Sequence, residues 1–245
     1  MTGQPTRVVA LGGGHGLAAT LRALTDLNCD TTAVVTVADD GGSSGRLRAD
    51  FGILPPGDLR MALAALCAHD VAGRHNAELF QYRFGGDSPL SGHPIGNLVL
   101  TALWDLEDDK VTALTRAGTL LGARGKVLPM ATIPLRIEAK VESPAGDIHR
   151  ISGQAVVAAT SDRIIDVSIT PEDPPACPEA IEALTNSDWI ILGPGSWYTS
   201  VMPSLLIPEL REAIVHSSAR RLIVLNLVDQ PGATEGLGPV EHLNV

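Results

Sequence analysis

Aromatic residues are scarce: three Phe, two Tyr and three Trp make up 3% of the 245 residues. A core so poor in rings must be packed from Ala, Val, Leu and Ile, a diet that suits parallel strands buried between helices. Cysteine is scarcer. Cys29, Cys67 and Cys177 lie far apart and form no CxxC pair. They read as reduced core thiols of a cytoplasmic protein rather than a disulfide framework. Long apolar runs are missing too: none approaches the roughly 18 residues that a membrane span needs. The opening MTGQPTR runs straight into a strand, with no apolar stretch of the signal-peptide kind. Basic residues are outnumbered, 18 against 28 acidic, for a formal net charge of −10. That balance excludes nucleic-acid binding by bulk electrostatics. An anionic ligand must be held by local N–H groups and a few placed arginines.

What is present describes a folded chain. Hydrophobic residues are 44% and charged residues 19%, which excludes a disordered polymer. The length fits one α/β domain over 1–245. Arg7 to Leu11 is a short β-rich run ending at GGGHG, and Leu17, Leu21, Leu24 and Leu27 follow at helical spacing. Thr31 to Val37 is a second buried strand. Strand, glycine turn, helix, strand is a βαβ unit and predicts a parallel sheet. Asp58 stands where a helix N-cap belongs, and Leu59 to Ala68 reads as the helix. HPIGN opens another over Leu98 to Leu106, and Lys110 to Leu121 a further one. From about 127 to 169 the pattern alternates with β-branched residues, a local antiparallel excursion with a hairpin turn at Pro144 to Asp147. A helix over Glu179 to Leu184, a strand over Trp189 to Leu192 and a strand over Leu222 to Leu227 complete the outline. The fold class expected is a Rossmann-like, doubly wound α/β unit with a mostly parallel sheet.

Three strands end in polar, glycine-rich loops: GGGHG, ADDGGSSGRLR and GPGS. In an open parallel sheet all three would lie at the carboxyl edge, where ligands bind. Gly12, Gly13, Gly14, His15 and Gly16 resemble a dinucleotide fingerprint, except that Leu17 replaces its last glycine. Glycines there let the backbone approach a phosphate at a helix N-terminus. A ligand-free turn is the bland alternative. Gly41, Gly42, Ser43, Ser44 and Gly45 could form a nest of N–H groups for an anion, with Arg46 and Arg48 adding charge. Asp39 and Asp40 could take ribose hydroxyls or a divalent cation, since Mg²⁺ often uses one or two carboxylates plus phosphate. Asp58 and Arg60 read equally as a cap with a surface arginine or as cleft residues. Asn97 can meet donors and acceptors alike, while a lone His93 is more often structural. Gly193, Gly195 and Ser196 fit an anion loop better than a nucleophile elbow, because GxSxG is absent. Asn226 closes the last strand. Trp197 and Tyr198 either stack on a ligand ring or simply pack. No nucleophile–base pair is visible. NAD(P) is an unlikely cofactor without a hydride-transfer site.

The ordered motifs GGGHGL, TVADDGGSSGRLR, LPPGDLRMAL, LFQYRF, GHPIGNL, GKVLPM, GPGSWYTSVMPSLL and NLVDQPGATEG resemble the gluconeogenesis factor (YvcK-like) family. That family is related to 2-phospho-L-lactate transferase within the CofD-like group. The resemblance runs from about Val8 to the last residue. It implies a cytoplasmic regulatory protein that binds UDP-sugars, notably UDP-N-acetylglucosamine, and supports cell shape and envelope growth on gluconeogenic carbon sources. No catalysis is established for that branch. It places Gly12 to Gly16, Asp40 to Gly45, Asp58, Asn97 and Gly193 to Ser196 around a nucleotide cleft. The alternative it implies is a transferase using a nucleotide-diphosphate donor, with Asp40 and Asp58 holding Mg²⁺. The partner expected is thus a UDP-sugar or related nucleotide diphosphate, and a homodimer stays open. Family members usually continue past EHLNV, so the last part of the family fold is expected to be missing. Ala233 stands where glutamate is common.

Overall fold

The structure is a computed structural model that describes residues 4–228, 238 and 240. Strand β1 (Thr6–Gly12) leads to α1 (Gly14–Thr25) and then β2 (Cys29–Val35). Four helices follow: α2 (Gly42–Phe51), α3 (Pro56–Ala65), α4 (Val71–Gln81) and α5 (Ile95–Leu106). Next come α6 (Lys110–Leu121) and β3 (Lys126–Pro129). A separate segment holds β4 (Arg136–Glu142), β5 (Ile148–Ser152), α7 (Gln154–Ala159) and β6 (Arg163–Thr170). The chain then returns through α8 (Pro178–Thr185) and β7 (Trp189–Leu192). A π-helical turn over Trp197–Val201 runs into α9 (Met202–Leu206), and α10 (Pro208–His216) precedes β8 (Arg220–Ile223).

The main sheet has five strands in the order β3-β2-β1-β7-β8, and every neighbouring pair is parallel. Its centre is sealed by the aliphatic residues that the sparse aromatics demanded: Ala10, Leu11, Ala33, Val34, Val35 and Ile190 have no exposed surface. The helices flank this sheet, with α1 packed on α3 and α8 packed on α10. The expected α/β class with a parallel sheet is what forms. The chain order reverses at β1: β2 and β3 extend to one side, β7 and β8 to the other. The topological switch point, where an open sheet leaves a crevice, therefore lies between the ends of β1 and β7.

The antiparallel excursion also forms, as a three-stranded sheet in the order β5-β4-β6. The turn at its tip is closed by the Ser143 N–H donating to the Asp147 carbonyl at 2.9 Å. Its limits differ from those expected. Residues from 127 belong to β3 of the main sheet, pairing with β2, and α7 interrupts the apparent alternation. A four-residue parallel strand and a six-residue helix are too short to show their own period.

Other differences have equally local causes. The stretch expected to be a nest-forming loop is instead helix α2, stopped by Gly52 at φ 64°. Only Ser43, Ser44 and Leu47 are buried on it, so no apolar stripe announces it. It is pinned by polar tertiary bonds instead: Gly57 N–H to Ser44 Oγ at 3.0 Å and an Arg48 guanidinium bond to the Leu135 carbonyl. Asp58 is not an N-cap: Pro55 caps α3, and Asp58 sits inside its first turn. Helix α4, capped by the Asp70 side chain on the Gly73 N–H, and helix α10 have no counterpart in the sequence reading. The last strand ends at Ile223, not 227. The loop expected at Asp229 to Gly236, with Ala233, lies outside the described residues. Among those described, no helix is long and apolar enough to cross a membrane. The three cysteines are unpaired thiols.

Candidate functional site

The loops after β1 and β7 meet at the switch point. A Cβ on Gly16 would fall 2.1 Å from the Pro194 carbonyl oxygen, so glycine is what allows this approach. Asn226, just past β8, ties the β7 loop from the other side. Its Oδ1 accepts from the Gly195 N–H at 3.1 Å and its Nδ2 donates to the Gly195 carbonyl at 2.8 Å. Between them lies an open cavity of about 500 Å³, lined by Gly13, Gly14, His15, Gly16, Gly195 and Ser196 together with Ser200 and Asn226. One wall is the start of α1, where the first turn leaves N–H donors without helical partners, and Ser196 and Ser200 line it from the segment after β7.

A second cavity of about 260 Å³ is built by α2 and α3. Asp39, Gly41, Gly42, Ser43, Ser44, Asp58, Arg60 and Asn97 line it, and so do Gly57, Met61 and Arg83. Asp58 stands at the boundary between the two cavities. Gly14 donates its backbone N–H to the carboxylate, and a Cβ on Gly13 would lie 2.4 Å from Asp58 Oδ2. That Oδ2 is buried and has no hydrogen-bond partner. Burial, followed by the nearby negative charge of Asp39, lifts the Asp58 pKa from 3.8 to about 7.

Arg60 is 5% exposed, which makes it a cavity residue and not a surface arginine. Burial, then Arg83, draws its pKa down to about 10, while Asp58 and Asp39 pull the other way. Its guanidinium donates to the Gln81 side-chain amide oxygen Oε1, and its Nε has no partner. Ser43 Oγ, His93 Nδ1 and Asn97 Nδ2 form a buried chain, with separations of 2.8 and 2.9 Å.

The structure thus brings GGGHG, GPGS and Asn226 to one cavity and most of DDGGSS to its neighbour. Gly12 ends β1 under the first loop, and Gly193 begins the second. Other expected residues point elsewhere. Asp40 faces the excursion, its Oδ1 accepting from the Ala155 N–H at 3.3 Å, so the carboxylate beside Asp58 is that of Asp39 rather than Asp40. Arg46 is exposed on the Ser91 carbonyl, and Gly45 is packed under the Asp40 carbonyl. Arg83 and Ser200 also line the site, and no sequence signal marks them. Arg83 sits in the LFQYRF motif, whose composition carries no phosphate signal. Trp197 and Tyr198 are buried, at 7% and 6% exposure, and pack in the core. The Ser43–His93 pair, 50 residues apart, has no sequence signature. A groove of about 350 Å³ at the opposite, amino edge of the sheet is lined by Arg7, Asp30 and Lys126. There Arg7 is engaged by Asp188.

The profile of the family described as "2-phospho-L-lactate transferase CofD" matches residues 8–245. The chain belongs to the CofD family. Within it, the similarity is to gluconeogenesis factors. A Mycobacterium tuberculosis (strain H37Rv) protein is 51% identical over 97% of this chain and 70% of its own length. The gluconeogenesis factor of Bacillus subtilis (strain 168) is 41% identical over 98% of this chain and 74% of its own length. A crystal structure of a Bacillus halodurans protein superposes with a TM-score of 0.89 at 40% identity, covering 98% of this chain and 75% of that one. The CofD-family relationship suggests a nucleotide-related ligand.

Proposed function

We propose that this CofD-family chain is a cytoplasmic regulatory protein of the gluconeogenesis factor type. It binds a nucleotide-diphosphate sugar, UDP-N-acetylglucosamine, in the switch-point crevice and serves cell shape and envelope growth on gluconeogenic carbon sources. The observation that carries this reading is the pairing of two unlike cavities. The one at the start of α1, beside His15 and Gly16, offers first-turn backbone donors suited to a diphosphate. The one beside Asp39, Asp58 and Asn97 offers buried acceptors suited to hydroxyl and amide groups. Asp58 marks their boundary, so one extended ligand can satisfy both. Titration calorimetry with UDP-N-acetylglucosamine tests it, with the Bacillus subtilis relative run in parallel. Saturable heat is expected. Absence of heat from this chain while the relative binds would defeat the reading.

A second reading follows from the orphaned Asp58 Oδ2. The Asp39 and Asp58 carboxylates would suit Mg²⁺, which commonly takes one or two carboxylates and completes its shell with water and substrate phosphate. No cluster of three His, Cys, Asp or Glu is present among the described residues, so this pair would be the protein's share. When bound, the ion would neutralise charge developing on a departing nucleotide phosphate, the requirement of a transferase with a nucleotide-diphosphate donor. Mg²⁺-dependent release of nucleotide in the presence of a deazaflavin acceptor would support it. Unchanged donor would remove it.

A further inference from the structure

The second cavity contains a buried polar chain. Ser43 is 6%, His93 7% and Asn97 1% exposed, so water contributes little to satisfying them. Ser43 Oγ lies 2.8 Å from His93 Nδ1 and accepts from Asn97 Nδ2 at 2.9 Å. A hydroxyl has one proton to give. Asn97 Nδ2 is itself a donor and takes one of the two Ser43 lone pairs, which leaves the Ser43 proton available to a neutral His93 whose Nδ1 is bare. In that arrangement His93 is neutral, with its proton on Nε2. The Asn97 NH₂ faces Ser43, and its Oδ1 is buried without a partner at the wall of the cavity.

We propose that His93 and Ser43 are positioning residues that lock the Asn97 carbonyl oxygen into the cavity, where it accepts a hydrogen bond from a neutral donor, a hydroxyl or N–H, on the bound ligand. Asn97 is the residue that reads the ligand. The inference rests on the nucleotide-sugar reading for the ligand's identity, but not for the direction of the chain. The electrostatic surroundings act the same way. Burial holds the His93 pKa below its ordinary value of 6.5; Arg46 on α2 and Arg83 after α4 push the same way, and Asp50 on α2 opposes them. An unpaired buried acceptor is costly, and a ligand donor removes that cost. A ligand lacking the donor, or an amide turned by a broken chain, forfeits the gain.

Two measurements on the full chain test this. Imidazole ¹⁵N NMR at pH 7.5 should show His93 with a bare Nδ1 and a protonated Nε2; a protonated Nδ1 would overturn the proposal. In calorimetry with UDP-N-acetylglucosamine, His93→Phe and Ser43→Ala should each bind about tenfold more weakly. His93→Asn should recover most of the affinity, because its amide oxygen can take the Ser43 proton as Nδ1 does. Asn97→Ala should also weaken binding. If it weakens the UDP complex equally, the donor is on the uridine; if only UDP-N-acetylglucosamine suffers, the donor is on the sugar. Binding equal to the unmodified chain in all variants would refute the proposal. Absence of binding by the unmodified chain would count against the nucleotide sugar alone, and the imidazole spectrum would still decide the chain's direction.

Discussion

The two walls of the crevice are made differently. The wall at β1 and β7 is backbone: glycines that allow close approach, and free N–H groups at the start of α1. The wall at α2 and α3 is side chain: Asp39, Asp58, Arg60 and Asn97, held at low exposure by packing. A backbone wall tolerates no added atoms but carries little charge. A side-chain wall tolerates substitution but stores electrostatic cost, because Asp58 Oδ2, Arg60 Nε and Asn97 Oδ1 are buried without partners. In the proposed reading, binding is divided between a backbone donor surface and a side-chain surface that a ligand completes.

Breaking the charged wall should give the largest effect. Asp58 has a folded-state pKa of about 7 against an ordinary 3.8. It holds its proton when folded but loses it when unfolded between those values, so its contribution to stability falls from about pH 4 to about pH 7. The gap corresponds to roughly 4 kcal/mol. Asp58→Asn should flatten that decline in denaturant titrations run across the window, raising stability at pH 7 while weakening ligand binding. An unchanged pH slope would show that Asp58 is not the buried acid described.

The backbone wall should fail by crowding. Gly16→Ala puts a Cβ 2.1 Å from the Pro194 carbonyl oxygen, and neither partner is a flexible side-chain end. A loss of about 3 kcal/mol is expected, with binding lost as the two loops part. A calorimetric melt and a ligand titration measure both.

The two aspartates of DDGG sharpen the division. Asp39→Asn should return the Asp58 titration toward the ordinary carboxylate range, seen by carboxyl ¹³C NMR, and should lower any Mg²⁺ affinity at least about tenfold. Asp40→Asn should leave both alone and loosen only the start of α7, at a cost below about 1 kcal/mol. A comparably small effect is expected at Asn226→Ala. It removes two exposed bonds to Gly195 and should cost about 1 kcal/mol, read as a small drop in melting temperature with a modest loss of binding.

The donor wall was largely legible in advance. Glycines bounded by a buried strand and a helical run can be placed by their neighbours alone, and GGGHG and GPGS fell at the expected sheet edge. The acceptor wall was not. VADDGGSSGRLR has the composition of a turn, and its helix forms through bonds to Gly57, His93, Asn97 and Leu135, which lie 13 to 87 residues away. No local pattern encodes such partners. For the same reason Asp39 and Asp40, adjacent and chemically identical, could not be told apart: successive side chains leave the backbone in different directions, and only the packed neighbours show which one meets Asp58.

By itself the sequence determined the class of fold, the parallel core, the edge at which ligands would gather and the resemblance to gluconeogenesis factors. Those depend on short-range periodicity and on glycine's lack of a side chain, properties carried residue by residue. The tertiary structure decided which loops share a cavity, that Arg60 is buried, that Asp39 rather than Asp40 neighbours Asp58, and that Ser43, His93 and Asn97 form one hydrogen-bonded chain. Each of those is a distance between segments far apart in the chain, set when the core closes and absent from any window of the sequence.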